Sequence, residues 1–81
     1  MNTHIAYQLA QKSIADLKTS LFILISQSAP EGLTNAEIGR ALGIYQGHIG
    51  HEGHIPRTLL ALMEQEGVVE QNINTKKWKL K

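Results

Sequence analysis

Between residues 5 and 28 the apolar side chains Ile5, Leu9, Ile14, Leu17, Leu21, Leu24 and Ile25 recur mostly three and four positions apart. That spacing predicts an α-helix with one buried stripe. One long helix satisfies the pattern, and so do two shorter ones, with Thr3 capping the first and Asp16 or Thr19 the second, so a break within residues 13–19 is left open. The stop is sharper. Ser28-Ala29-Pro30-Glu31-Gly32 joins a proline, which disfavours helix in the residue before it, to a glycine suited to a turn.

Thr34-Asn35-Ala36-Glu37 then places a hydroxyl three residues ahead of a carboxylate, the spacing of a reciprocal capping box. Ile38 and Leu42 follow on one helical face, Ala41 permits close packing, and Gly43 suits the left-handed residue that closes a helix. A glycine- and histidine-rich connector comes next, with the miniature repeat Gly47-His48-Ile49, Gly50-His51-Glu52, Gly53-His54-Ile55. Its glycines oppose a long helix. A third helix is predicted from about Ile55, with Pro56 in the first turn, Leu59, Leu60, Leu62 and Met63 supplying its apolar face, and Gly67 ending it. Past Gly67 the period shortens to two. Val69, Gln71 and Ile73 alternate with polar residues, Asn74-Thr75-Lys76 supplies a turn, and Lys77-Trp78-Lys79-Leu80-Lys81 alternates again. The segment predicts a β-hairpin that turns Trp78 and Leu80 toward the helices and Lys77, Lys79 and Lys81 toward water or a ligand.

The resulting fold class is mainly α with a small β-hairpin, α+β, in one domain. Its parts are an N-terminal helical extension (1–18), a three-helix core (19–67) and a hairpin (68–81). At 81 residues with no cysteine, the chain has no room for a two-domain enzyme and no means of building a disulfide scaffold or a cysteine-ligated zinc site. The longest apolar run, residues 21–25, is too short to cross a bilayer, and the first residues lack the pattern of a signal peptide, so a cytoplasmic protein is expected. Lys plus Arg number 8 against 7 Asp plus Glu, for a net charge of +1, yet Lys76, Lys77, Lys79 and Lys81 crowd the last six positions. An anionic partner would meet that end first.

The order helix, short capped helix, connector, helix and hairpin resembles a winged helix-turn-helix domain. The stretch Glu31-Gly32-Leu33-Thr34-Asn35-Ala36-Glu37-Ile38-Gly39-Arg40-Ala41-Leu42-Gly43 looks like that family's second helix, and residues 56–70 look like its recognition helix running into the wing. The resemblance covers residues 19–81, and it extends more loosely to winged helix modules associated with bacterial restriction endonucleases. It implies a three-helix core plus wing that binds double-stranded DNA, as a small bacterial-type transcription regulator or a DNA-reading module. Some members of the family bind proteins instead.

On that reading the third helix enters the major groove and the hairpin lies over adjacent phosphates or the minor groove. His54, Arg57 and Thr58 stand nearest to base edges, with Arg57 the preferred reader through a bidentate pair to guanine. Tyr45, Gln46, His48 and His51 form a polar surface ahead of that helix. Asn74, Lys76, Lys77 and Lys79 reach phosphates without reading sequence. The connector is longer than a tight helix-turn-helix turn, which leaves the recognition-helix register open by a residue or more.

His48, His51 and His54 also have a spacing that invites a metal, but the intervening glycines do not preorganise them and Glu52 is the only carboxylate nearby, so no metal or other cofactor is expected. Protonation of these imidazoles below neutral pH would strengthen contact with DNA. Asp16 is the only Asp, no phosphate-gripping glycine motif is present, and Glu64 and Glu66 sit two apart and point in different directions on a helix. Catalysis and a small-molecule substrate are therefore not expected. Two binding functions stand: DNA recognition, and a protein-interaction module in which the N-terminal helix pairs with a partner or with a second copy as a homodimer.

Overall fold

The computed structural model describes residues 3–44 and 54–81. Three helices, α1 (Thr3–Gln27), α2 (Asn35–Leu42) and α3 (His54–Gln65), precede a two-stranded antiparallel sheet of β1 (Val69–Gln71) and β2 (Trp78–Leu80). The chain is thus mainly helical with a small sheet, the α+β class its patterning predicts.

Helix α1 runs unbroken for 25 residues. Asp16 and Thr19 start no second helix: the Asp16 carboxylate accepts a bond from Lys12 Nζ at 2.8 Å, and the Thr19 hydroxyl donates to the Ala15 carbonyl at 3.0 Å. The bond to Asp16 also raises the Lys12 pKa above its ordinary value, with the attraction of the carboxylate charge acting in the same direction. The single buried stripe holds only for the C-terminal half. Leu21 and Ile25 are buried and Leu17 and Leu24 pack against the core, whereas Ile5, Leu9 and Ile14 are exposed. Two reasons combine: the other described elements pack only against the C-terminal half, which leaves every residue from 3 to 16 exposed, and the helical steps turn Ile5 and Leu9 aside. A four-residue step keeps Ile5 and Leu9 together, but the five-residue step from Leu9 to Ile14 turns the surface by about 140° and sends the first pair to a different side.

Helix α2 forms from local signals. Thr34 Oγ1 accepts from the Glu37 amide at 3.2 Å, and Glu37 Oε1 accepts from the Thr34 amide at 2.9 Å, completing the capping box. The backbone hydrogen bond from Thr34, then that residue's side chain, holds the Glu37 carboxyl below the ordinary carboxylate range, with Lys77 and Arg40 adding a smaller pull. A depressed pKa contributes stability above the unfolded value of about 4.3 and loses it as pH falls through the lower folded value. Glu37→Gln is accordingly expected to lose about 0.5 kcal/mol at neutral pH. The gap to the parent should narrow near about pH 3, which urea unfolding at the two pH values checks.

Both α2 and α3 end in the paired closure that follows a left-handed glycine. Ile44 donates to the Gly39 carbonyl at 2.8 Å and Gly43 to that of Arg40 at 3.3 Å, while Val68 donates to Met63 and Gly67 to Glu64, both at 3.0 Å. The predicted stops at Gly43 and Gly67 hold, and α3 starts at His54, one residue ahead of the expected Ile55.

The core joins all three helices to the sheet through Leu21, Ile25, Ile38, Leu59, Leu60, Met63, Val69 and Trp78. In the sheet, Val69 pairs with Leu80, Glu70 with Lys79 and Gln71 with Trp78. One face therefore carries buried Val69 and Trp78, and the other sets exposed Glu70 across from exposed Lys79. Leu33, in the turn before α2, bridges to Trp78: its amide donates to the Trp78 carbonyl at 3.1 Å and its carbonyl accepts from the Trp78 amide at 2.6 Å. That bridge sets β2 between β1 and Leu33. The turn within the hairpin begins earlier than the alternation suggests. Asn72 Oδ1 accepts from the amides of Asn74 and Thr75 at 2.8 and 2.9 Å, so Ile73, expected in a strand, sits in the turn at 82% exposure. Among the described residues, no helix is long and apolar enough to cross a membrane.

Candidate nucleic-acid interface

Helix α3 has two sides of different chemistry. Pro56, Leu59, Leu60 and Met63 are buried, and the opposite row, His54, Thr58, Ala61 and Gln65, is exposed at steps of four, three and four residues. Arg57 is exposed on one flank of that row, as is Glu64. Among the described residues, the first turn of α3 carries no carboxylate. His54, Arg57 and Thr58, named from the sequence, thus sit together on an accessible surface. Ala61 and Gln65 extend the row and were missed, although counting outward from the apolar positions would have found them.

Thr58 has one donor, and it is used. Its hydroxyl donates to the His54 carbonyl at 2.9 Å, leaving the side chain its lone pairs and its methyl group for a ligand. Contact with a thymine methyl suits this geometry better than a phosphate bond, which would require the committed proton.

The hairpin residues separate into two groups. Asn74 and Lys76 are exposed in the turn, which is braced by bonds from Asn72 to the Lys77 carbonyl at 2.9 Å, from Lys76 to the Asn72 carbonyl at 2.8 Å, and from Gln71 Nε2 to the Lys76 carbonyl at 2.9 Å. Lys76 itself has φ +64°, an uncommon conformation for a residue other than glycine. Lys77 and Lys79 lie nearer the root of the hairpin. Lys77 is half-buried and acts on the Glu37 carboxyl, while the exposed Lys79 runs its stem across Gly32.

Tyr45, Gln46, His48 and His51 lie outside the described residues, and with them two of the three histidines of the metal-like spacing. Among the described residues no three His, Asp or Glu side chains converge as a metal site would require. No family model matches the chain, and neither the curated proteins nor the solved structures contain a match to it.

Proposed function

We propose that this chain binds double-stranded DNA as a winged helix-turn-helix module, with α3 in the major groove and the hairpin on neighbouring phosphates. The observation that carries the reading is the outward row of α3: polar and small side chains, flanked by Arg57, on a helix whose other side is locked into the core. Such a helix presents base-reading groups on a rigid support. The winged form is further supported by the Leu33–Trp78 bridge, which gives the order helix, single paired residue, helix, helix, hairpin with β2 in the middle. A small transcription regulator and the DNA-reading part of a restriction-type system are both roles that this activity would serve.

The net charge of +1 makes sequence-independent attraction modest, so base contacts must supply much of the affinity. Arg57→Ala is expected to cost about 1–3 kcal/mol and to relax preference at one base pair. The activity itself is tested by fluorescence anisotropy of a mixed-sequence duplex of about 20 base pairs at several salt concentrations. Affinity should fall steeply as salt rises. Absence of binding at low salt would overturn the proposal.

A second titration isolates the hairpin. Lys76→Gly suits the positive φ of that position, and Lys77→Gln and Lys79→Gln keep most of the stems that pack against the body. The triple variant should bind every duplex more weakly, with the log-log salt slope reduced by about two to three. An unchanged slope would remove the hairpin from the interface.

A further inference from the structure

Every residue from 3 to 16 is exposed, so the N-terminal half of α1 packs little against the other described elements. It carries Ile5, Tyr7, Leu9 and Ile14 at 52%, 64%, 60% and 36% exposure. An unsupported helix of this length is marginal in water and gains most of its stability by packing an apolar face. Beside it, between α1 and the first turns of α3, opens a groove of about 360 Å³ lined by Ile14, Leu17, His54, Ile55, Thr58 and Leu59. The molecule therefore holds both an exposed aromatic projection and an apolar recess.

The two are linked by register. Tyr7, Ala10, Ile14 and Leu17 follow one another at steps of three, four and three, and Leu21 and Leu24 continue the same row into the core. This is the spacing of a helix that pairs along a seam. We propose that two copies of the chain associate through antiparallel α1 helices about a two-fold axis. Tyr7 of each copy enters the groove of the other beside Leu17, and Ala10 meets Ile14.

The charge pattern selects a second copy as the occupant. On α1, Lys12 pairs with Asp16 and Lys18 with Glu66, each at 2.8 Å, and the seam residues Tyr7, Ala10, Ile14 and Leu17 carry no charge. A strongly charged partner finds nothing to complement there, whereas the face meets its own copy without like-charge repulsion. A two-fold axis uses projection and recess twice. About 22 Å of paired helix with both grooves filled buries on the order of 1,000 Å² in total, the low end of specific interfaces. An interface of that size is typical of weak, reversible association, so the micromolar range is the one to search.

Sedimentation equilibrium of the full chain from about 5 to about 500 µM tests the pairing. The mass should rise from 9.0 kDa toward twice that value. Tyr7→Ser should shift the midpoint at least about tenfold, because a buried aromatic anchor dominates a small interface, while Phe22→Ser, exposed on another side of α1, should leave it in place. A monomer at every concentration, or a Tyr7→Ser chain that associates like the parent, overturns the proposal. The register has its own readout, because the chain has no cysteine. An oxidised mixture of Ala10→Cys and Ile14→Cys chains should give chiefly the mixed disulfide, and predominance of either homodisulfide rejects the antiparallel register. Filling the groove covers part of His54 and Thr58, so pairing and the DNA contacts of those two residues compete, and both readouts are taken without DNA so that they report on the pairing alone.

Discussion

Trp78→Ala is expected to lose about 3–5 kcal/mol of stability, the range for emptying a buried aromatic site. A domain of this size has roughly that much to lose, so the variant should be largely unfolded without denaturant. The size of the effect comes from how many elements meet at one residue. Trp78 is 4% exposed in the core, both of its backbone polar groups pair with Leu33, and its indole Nε1 donates to Asn35 Oδ1 at 2.8 Å in the first turn of α2. Removing the ring opens a cavity beneath the hairpin and strands the Asn35 oxygen. Trp78→Phe separates the two effects. It keeps most of the volume and loses the donor, for an expected cost of about 1–2 kcal/mol. Far-UV circular dichroism during urea unfolding is the suitable probe, since Trp78 is the only tryptophan. A Trp78→Ala chain with the parent's midpoint would mean that the hairpin contributes little to holding the helices together.

The parts of the fold that are legible in the sequence are those set by neighbours along the chain. The α2 cap needs only Thr34 and Glu37 three residues apart, and the helix stops need only Gly43 and Gly67 where the apolar period ends. The burial of α1 is not legible in the same way. Ile5 and Leu9 have the composition of core residues, but whether they are covered depends on what packs against them, and the remaining elements reach only the C-terminal half of the helix. Leu33 gives no signal at all, because a single paired residue has no alternation to read. At Ile73 the alternation misleads, since the Asn72 side chain captures two amides and starts the turn one residue early.

The candidate interface divides similarly. His54, Arg57 and Thr58 are recognisable from their place at the start of a helix. Ala61 and Gln65 follow from counting outward from the apolar positions Leu59, Leu60 and Met63, a step that the start of the helix alone does not prompt. The different positions of Lys76 and Lys79 arise from the Lys76 backbone conformation and from the close approach of β2 to Gly32, and neither is visible in a row of lysines.

That close approach makes Gly32→Ala the second large expected effect. Gly32 has φ +83°, and a Cβ placed on it would lie 2.3 Å from the Trp78 carbonyl oxygen and 2.7 Å from Lys79 Cγ. The lysine stem can swing aside. The carbonyl cannot move freely, because it accepts the Leu33 amide and so belongs to the bridge that ties β2 to the segment before α2. The expected loss is about 3 kcal/mol, combining the left-handed conformation with the steric displacement. Gly43→Ala isolates the first contribution: its φ is +73°, but among the described residues nothing lies within 4 Å of an added Cβ, and it should cost only about 1–2 kcal/mol. Urea unfolding of the two variants would therefore measure the contact between backbone segments by difference, and equal losses would place β2 farther from Gly32. Coupling to Trp78 supplies an independent check. In a Trp78→Phe background the hairpin is less firmly seated and can yield to the added methyl, so the combined loss should fall short of the sum of the single losses. Strict additivity would mean that Gly32 and Trp78 act through separate parts of the fold.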